Sequence, residues 1–205
     1  MRAIEAELLF GTQLYREVIQ RRLAEARETV WIATANVKEM YVERRGVYRS
    51  ILELFGELSS RGVALRILHA EVPSRPFRAA FDAKKKLVAG GLELKICPRV
   101  HFKAVLVDGC WLYLGSANLT GAGLGARDEH RRNFEVGFVT EDFDTIDRTA
   151  ALYEAVWSGA ECRACKLYDL CPDPIGPGPP PRRTKATTTG IVELGKSRGI
   201  GRVGR

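Results

Sequence analysis

Between positions 101 and 118 the chain reads HFKAVLVDGCWLYLGSAN, which sets an imidazole, an ammonium, a carboxylate, a hydroxyl and an amide at fixed intervals. Lys103 follows two residues after His101; four residues then separate it from Asp108, and six separate Asp108 from Gly115-Ser116-x-Asn118. Alternation along a strand puts His101 and Lys103 on one face. A hairpin turn at Gly109-Cys110 then returns the chain so that Ser116 and Asn118 arrive beside them. Such a set suits a tetrahedral phosphate. The ammonium neutralises charge, while the hydroxyl and amide donate hydrogen bonds that strengthen as oxyanions develop. Gly115 permits close approach of the backbone.

At every position this segment resembles the HxK(x)4D(x)6GSxN signature of the phospholipase D superfamily, and Asn133-Phe134-Glu135 resembles the NxE that follows it. The resemblance implies a site made of His101, Lys103, Asp108, Ser116, Asn118 and Glu135. It implies that Glu135 hydrogen-bonds His101, fixing the tautomer and raising the nucleophilicity of the free ring nitrogen. Asp108 is expected to organise structure and charge near the turn. The implied reaction is a two-step displacement through a phosphohistidine, with a second motif histidine as acid and then base; no catalytic cofactor is needed. Only His69 and His130 accompany His101 in the chain, and neither lies in an HxK motif. Single-motif members resembling this chain homodimerise about the active site, so an isologous pair sharing one composite site is implied. His69 is read as a structural histidine at a strand end, and His130 as a solvated loop residue, with a place in the lining of the cleft as its alternative.

The elements that must position these groups alternate along the chain. Residues 12–27 have amphipathic helical spacing, and TVWIATAN (29–36) reads as a buried strand. Val47, Ile51, Leu54 and Leu58 recur at helical intervals before a strand at 63–69. Ser74 is placed to cap a helix running to about Val88, and 92–97, 102–108, 111–115 and 134–139 read as strands. Asp142 caps a last helix through Trp157. The expected fold class is an α/β/α sandwich of the phospholipase D type, with a mixed, mostly buried sheet. The domain organisation expected is a catalytic unit at 1–158, a cysteine-rich segment at 159–173 and a disordered Pro/Gly-rich basic tail at 174–205, in which IVEL (191–194) is a candidate docking element.

Net charge is +7, which favours an anionic partner. Seven basic residues against one acid follow Pro181, so the rest of the chain is nearly balanced. Arg131-Arg132 and Lys84-Lys85-Lys86 are candidate phosphate contacts, and no base-reading motif accompanies them. The expected substrate is nucleic acid, cut with little sequence specificity. A phospholipid hydrolase and a nucleic-acid-binding module with a vestigial site are the alternatives. No apolar run is long enough to span a membrane, and MRAIEAELLF lacks a signal peptide's apolar core, so a cytoplasmic location is expected.

Cys162-x2-Cys165-x5-Cys171 is spaced for a structural metal site, zinc or an iron–sulfur cluster. The spacing resembles the downstream cysteines of iron–sulfur nucleases and base-excision glycosylases, whose fourth ligand lies elsewhere. Here Cys97 and Cys110 are the candidates for it. Amide side chains are limited to Asn36, Asn118, Asn133, Gln13 and Gln20, a depletion associated with hot habitats, where intracellular disulfides are an alternative.

Overall fold

A computed structural model describes residues 2–180. Most of the basic tail, with IVEL at 191–194, lies outside the described residues. Seven strands form one mixed sheet in the order β1-β9-β8-β7-β2-β5-β6. They are β1 (Glu7–Phe10), β2 (Thr29–Thr34), β5 (Ala64–His69), β6 (Glu93–Ile96), β7 (Lys103–Val107), β8 (Trp111–Gly115) and β9 (Val136–Thr140). Strands β2, β5 and β6 run parallel, and β7 joins the edge of that group antiparallel to β2. The sheet therefore changes character between β2 and β7, where the candidate residues lie.

Period-two alternation assigns the two faces. Val30, Ile32, Ile67, Val105 and Tyr113 point into the larger core, against the first helix (α1, Thr12–Leu14, continuing with wider π-type bonding over Tyr15–Leu23), α2 (Ile51–Ser60) and Phe77 of α3 (Arg75–Asp82). Ala33, Leu68, Ala104, Leu106 and Leu112 face the other way, onto Ile146, Tyr153 and Trp157 of α4 (Phe143–Trp157). Tyr153 stacks between Trp31 and Trp157 at centroid distances of 5.3 and 5.7 Å, locking α4 to the sheet. The five fully or almost fully buried apolar side chains of α2 each contribute about 1.5–3 kcal/mol by leaving water. The fold is the α/β sandwich that the alternation of elements predicts.

Helix caps were legible. Ser74 Oγ accepts the Phe77 N–H and Asp142 the Thr145 N–H, where the sequence places them. The departures lie where local signals compete. Val47 has helical spacing yet belongs to β4 (Val47–Ser50), paired with β3 (Tyr41–Arg44). Arg45 and Gly46 both take positive φ, the geometry of a tight hairpin turn, and that turn overrides the helical period. The helix instead starts after Ser50, whose Oγ accepts the Leu52 N–H at 3.1 Å. The first helix stops at Leu23, and α3 stops at Asp82, short of the ends its spacing predicts. β1 has too few residues to announce itself; it is held by pairing with β9.

Candidate active site

The β7–β8 hairpin carries the motif on two separate ends. Its register pairs Lys103 with Gly115 and Val107 with Trp111, so Lys103 and the Gly115-Ser116 turn meet at one end while Asp108 stands at the other. Asp108 and Gly109 form the corner with φ of 52° and 63°, and Cys110 N–H closes it on Val107 O, one residue earlier than the sequence predicts. The Asp108 carboxylate accepts the backbone N–H groups of Arg27, Glu28 and Thr29 at 3.0, 2.8 and 2.9 Å. It tethers the hairpin to the start of β2. The five residues of β7, at about 3.3 Å each, keep it out of reach of His101.

At the open end the remaining groups gather. His101 is exposed, in the loop just before β7. Lys103 is buried, donates to the His101 carbonyl at 2.7 Å, and holds its ammonium 3.5 Å from both ring nitrogens. Asn118 is anchored by one side only. Its Oδ1 accepts Thr34 Oγ1–H at 3.1 Å and the N–H groups of Ala35 and Asn36 at 3.1 and 3.3 Å. The amide NH2 is thereby left as the open donor.

Glu135 departs from the expected role. Its carboxylate accepts Ser116 Oγ–H, and Asn133 Nδ2–H at 3.1 Å, and makes no hydrogen bond to His101. The Ser116 oxygen in turn accepts the Val136 N–H at 3.1 Å. The serine, not the imidazole, holds the carboxylate, a competition among short polar groups that spacing cannot rank.

Two supporting residues carry no motif signal. Thr34 is buried at the end of β2, and its Oγ accepts the Leu119 N–H at 3.1 Å, fixing the GSAN turn to a strand 85 residues away in the chain. Tyr113 is wholly buried beneath the turn and accepts the Ala117 N–H at 3.3 Å; burial pushes its hydroxyl up to about 12. A Cβ on Gly115 would lie 2.4 Å from the Tyr113 oxygen, and one on Gly137 2.4 Å from its ring. Glycine is required at both positions because the phenol fills the space. Their only sequence signals are a threonine closing an apolar strand and a tyrosine two residues before the motif glycine.

The other candidates separate. His69 is buried, with Nδ1 2.9 Å from Glu71 O, and burial lowers its pKa. His130 is exposed in a short turn. Arg131 is exposed, but the Arg132 guanidinium donates to the carbonyls of Gly11, Gly123 and Gly125, which occupies it as a loop clamp. The lysine run at 84–86 lines a groove against α2, toward the start of β6 and away from His101. A polar hollow of about 330 Å³ does adjoin the site, and Asn36, Lys38, Glu39, Asn118, Arg127 and Asn133 are among its lining.

Groups at the carboxyl ends of parallel strands, next to a switch in strand direction, occupy the usual ligand position of an open α/β sheet. Residues 19–157 match the family described as cardiolipin synthase, PLD-like domain, and the chain belongs to the phospholipase D superfamily. Membership supports phosphodiester chemistry in general. The fold is similar to Nuc from Salmonella typhimurium, a phospholipase D family member (TM-score 0.56, 16% identity, 76% of this chain and 95% of that one). NucT from Helicobacter pylori is also similar (0.53, 18%, 74% and 94%), as is phosphatidylserine synthase from Haemophilus influenzae (0.51, 14%, 75% and 38%). No curated protein matches the chain in sequence. No helix among the described residues is long and apolar enough to cross a membrane.

Proposed function

We propose that the chain is a metal-independent phosphodiesterase acting through a phosphohistidine, and that it serves as a low-specificity endonuclease in the cytoplasm. The observation that carries this reading is the convergence of the His101 ring, the Lys103 ammonium and the open amide of Asn118 at one accessible sheet end. A ring nitrogen of His101 attacks phosphorus; the P–O bond breaks, and the leaving oxygen takes a proton from the partner's His101. The partner's His101 then removes a proton from water, whose oxygen displaces His101 from phosphorus. Lys103 and Asn118 hold the nonbridging oxygens. The incoming phosphate competes for the Ser116 hydroxyl, and its success frees Glu135 to turn toward His101.

Two observations support a homodimer and a polymeric anion. Leu8, Phe10, Phe134 and Val136 are all exposed, on and beside the edge pair β1–β9 and next to Glu135, an apolar surface of the kind a partner covers. Lys38 and Arg127 line the polar hollow that continues from Asn118, a path for flanking phosphates. The same apolar surface would also serve a phospholipid hydrolase as an interfacial lip, which makes that the second reading.

The test is cleavage of plasmid, single-stranded DNA, RNA and phosphatidylcholine vesicles in excess chelator. Cleavage of a nucleic acid, abolished by His101→Ala, is expected; cleavage of the vesicles alone would favour the lipid reading. Cleavage of neither would leave a binding module. Mixing wild type with His101→Ala tests the shared site, because activity then falls as the square of the wild-type fraction. A linear fall, or an active monomer, overturns the composite site.

A further inference from the structure

Four of the five cysteines, Cys97, Cys162, Cys165 and Cys171, line one small hollow beside α4, and the fifth does not. The hollow offers about 20 Å³ of free space, enough for a single water- or ion-sized body. All five thiols are free, and those four are half-buried. Cys110, the other candidate for a fourth ligand, is exposed at the closed end of the β7–β8 hairpin, its thiol on the Val107 carbonyl.

The surrounding chain is built to hold this grouping. Gly159, with φ of 77°, lies so close to Gly176 that a Cβ there would come within 2.7 Å of its backbone. A Cβ on Gly178 would meet the Tyr168 ring at 2.4 Å. The segment after Cys171 thus folds back over the cysteine loops, although its composition predicts a disordered tail. Short 3-10 turns at Ala160–Ala164 and Tyr168–Leu170 place the three downstream thiols, and Arg99 pairs with Glu161 at 3.8 Å across the hollow's rim. Nothing in phosphodiester cleavage uses these groups.

We infer that Cys97, Cys162, Cys165 and Cys171 form a tetrathiolate site for a thiophilic metal centre, with Cys97 as the ligand the downstream triplet lacks. Among the described residues no three such side chains yet stand within bonding geometry of a common point. The four cysteines nevertheless line the same hollow, and binding would draw their thiols together. Cys97 N–H donates to His69 O at 2.8 Å, and Cys97 O accepts the Val100 N–H at 2.9 Å, immediately before His101. The centre would pin the C-terminal segment to the loop that presents the nucleophile. Its role is structural positioning.

Metal analysis of anaerobically purified full-length protein tests this. About one zinc per chain, or iron with acid-labile sulfide and visible absorption, is expected, and the two results separate the ion from the cluster. Co²⁺ added to metal-stripped protein should give intense thiolate-to-cobalt charge transfer together with tetrahedral d–d bands. Cys97→Ser should weaken retention at least about 10-fold, while Cys110→Ser should leave metal content unchanged. In case Cys97→Ser misfolds, hydrogen exchange across 97–102 in stripped and Zn²⁺-reconstituted wild type gives a second readout, with protection expected on reconstitution. A metal-free preparation with paired disulfides by intact mass overturns the site. So does metal that survives Cys97→Ser and is lost in Cys110→Ser.

Discussion

At one end of the β7–β8 hairpin, Asp108 commits its carboxylate to three backbone N–H groups and leaves nothing for a ligand. At the other end, five residues earlier in the chain, Lys103 faces an exposed imidazole, and Asn118 keeps its donors open. Both belong to one continuous motif, yet the first end is satisfied internally and the second is not. The difference teaches how to read such motifs. A polar group whose partners are all backbone holds the scaffold; a polar group anchored by one side only is aimed at something outside the protein.

The comparison breaks most sharply if the two ends are mutated in turn. His101→Ala should lower kcat by at least about 10³-fold with nearly unchanged thermal unfolding, because it removes the proposed nucleophile, whose exposed ring gives up only the long contact with the Lys103 ammonium. Residual turnover near wild type would dissolve the distinction. Asp108→Ala should show the reverse. Loss of three charge-assisted bonds costs about 2–4 kcal/mol, lowering Tm by roughly 5–15 °C, with activity per folded molecule nearly retained. A large kcat loss at full stability would place Asp108 in the chemistry after all.

Thr34→Val sharpens the comparison, since Thr34 supports the open end from below. It strands the Leu119 N–H and one acceptor bond of Asn118, so about 1–3 kcal/mol of stability and roughly 10-fold in kcat should go together. The smallest effect concerns His69, close to the site in the sheet but enclosed. Burial holds its folded pKa below the usual 6.5, so the neutral ring is the native form. As pH falls below about 6.5 the unfolded chain takes up a proton first, and stability declines until the native pKa is passed. Urea unfolding at pH 7 and 5 should show this acid sensitivity reduced in His69→Gln, by no more than about 1.4 kcal/mol per pH unit. An unchanged slope would assign the sensitivity to other groups.

The sequence by itself determined the candidate groups for the chemistry, the hairpin that bears them, the caps at Ser74 and Asp142, and the layered α/β architecture. These depend on periodicity, on cap residues and on spacing within a few residues, all of which are local. Tertiary structure alone decided the partners. Glu135 bonds Ser116 rather than His101, Arg132 is taken up by carbonyls, Thr34 reaches across to Asn118, and Cys97 rather than Cys110 faces the downstream cysteines. Each of these choices depends on strand register and on how distant segments close over one another. A side chain's partner is settled by whichever competing group the folded backbone brings within about 3 Å, and no spacing along the chain encodes that distance.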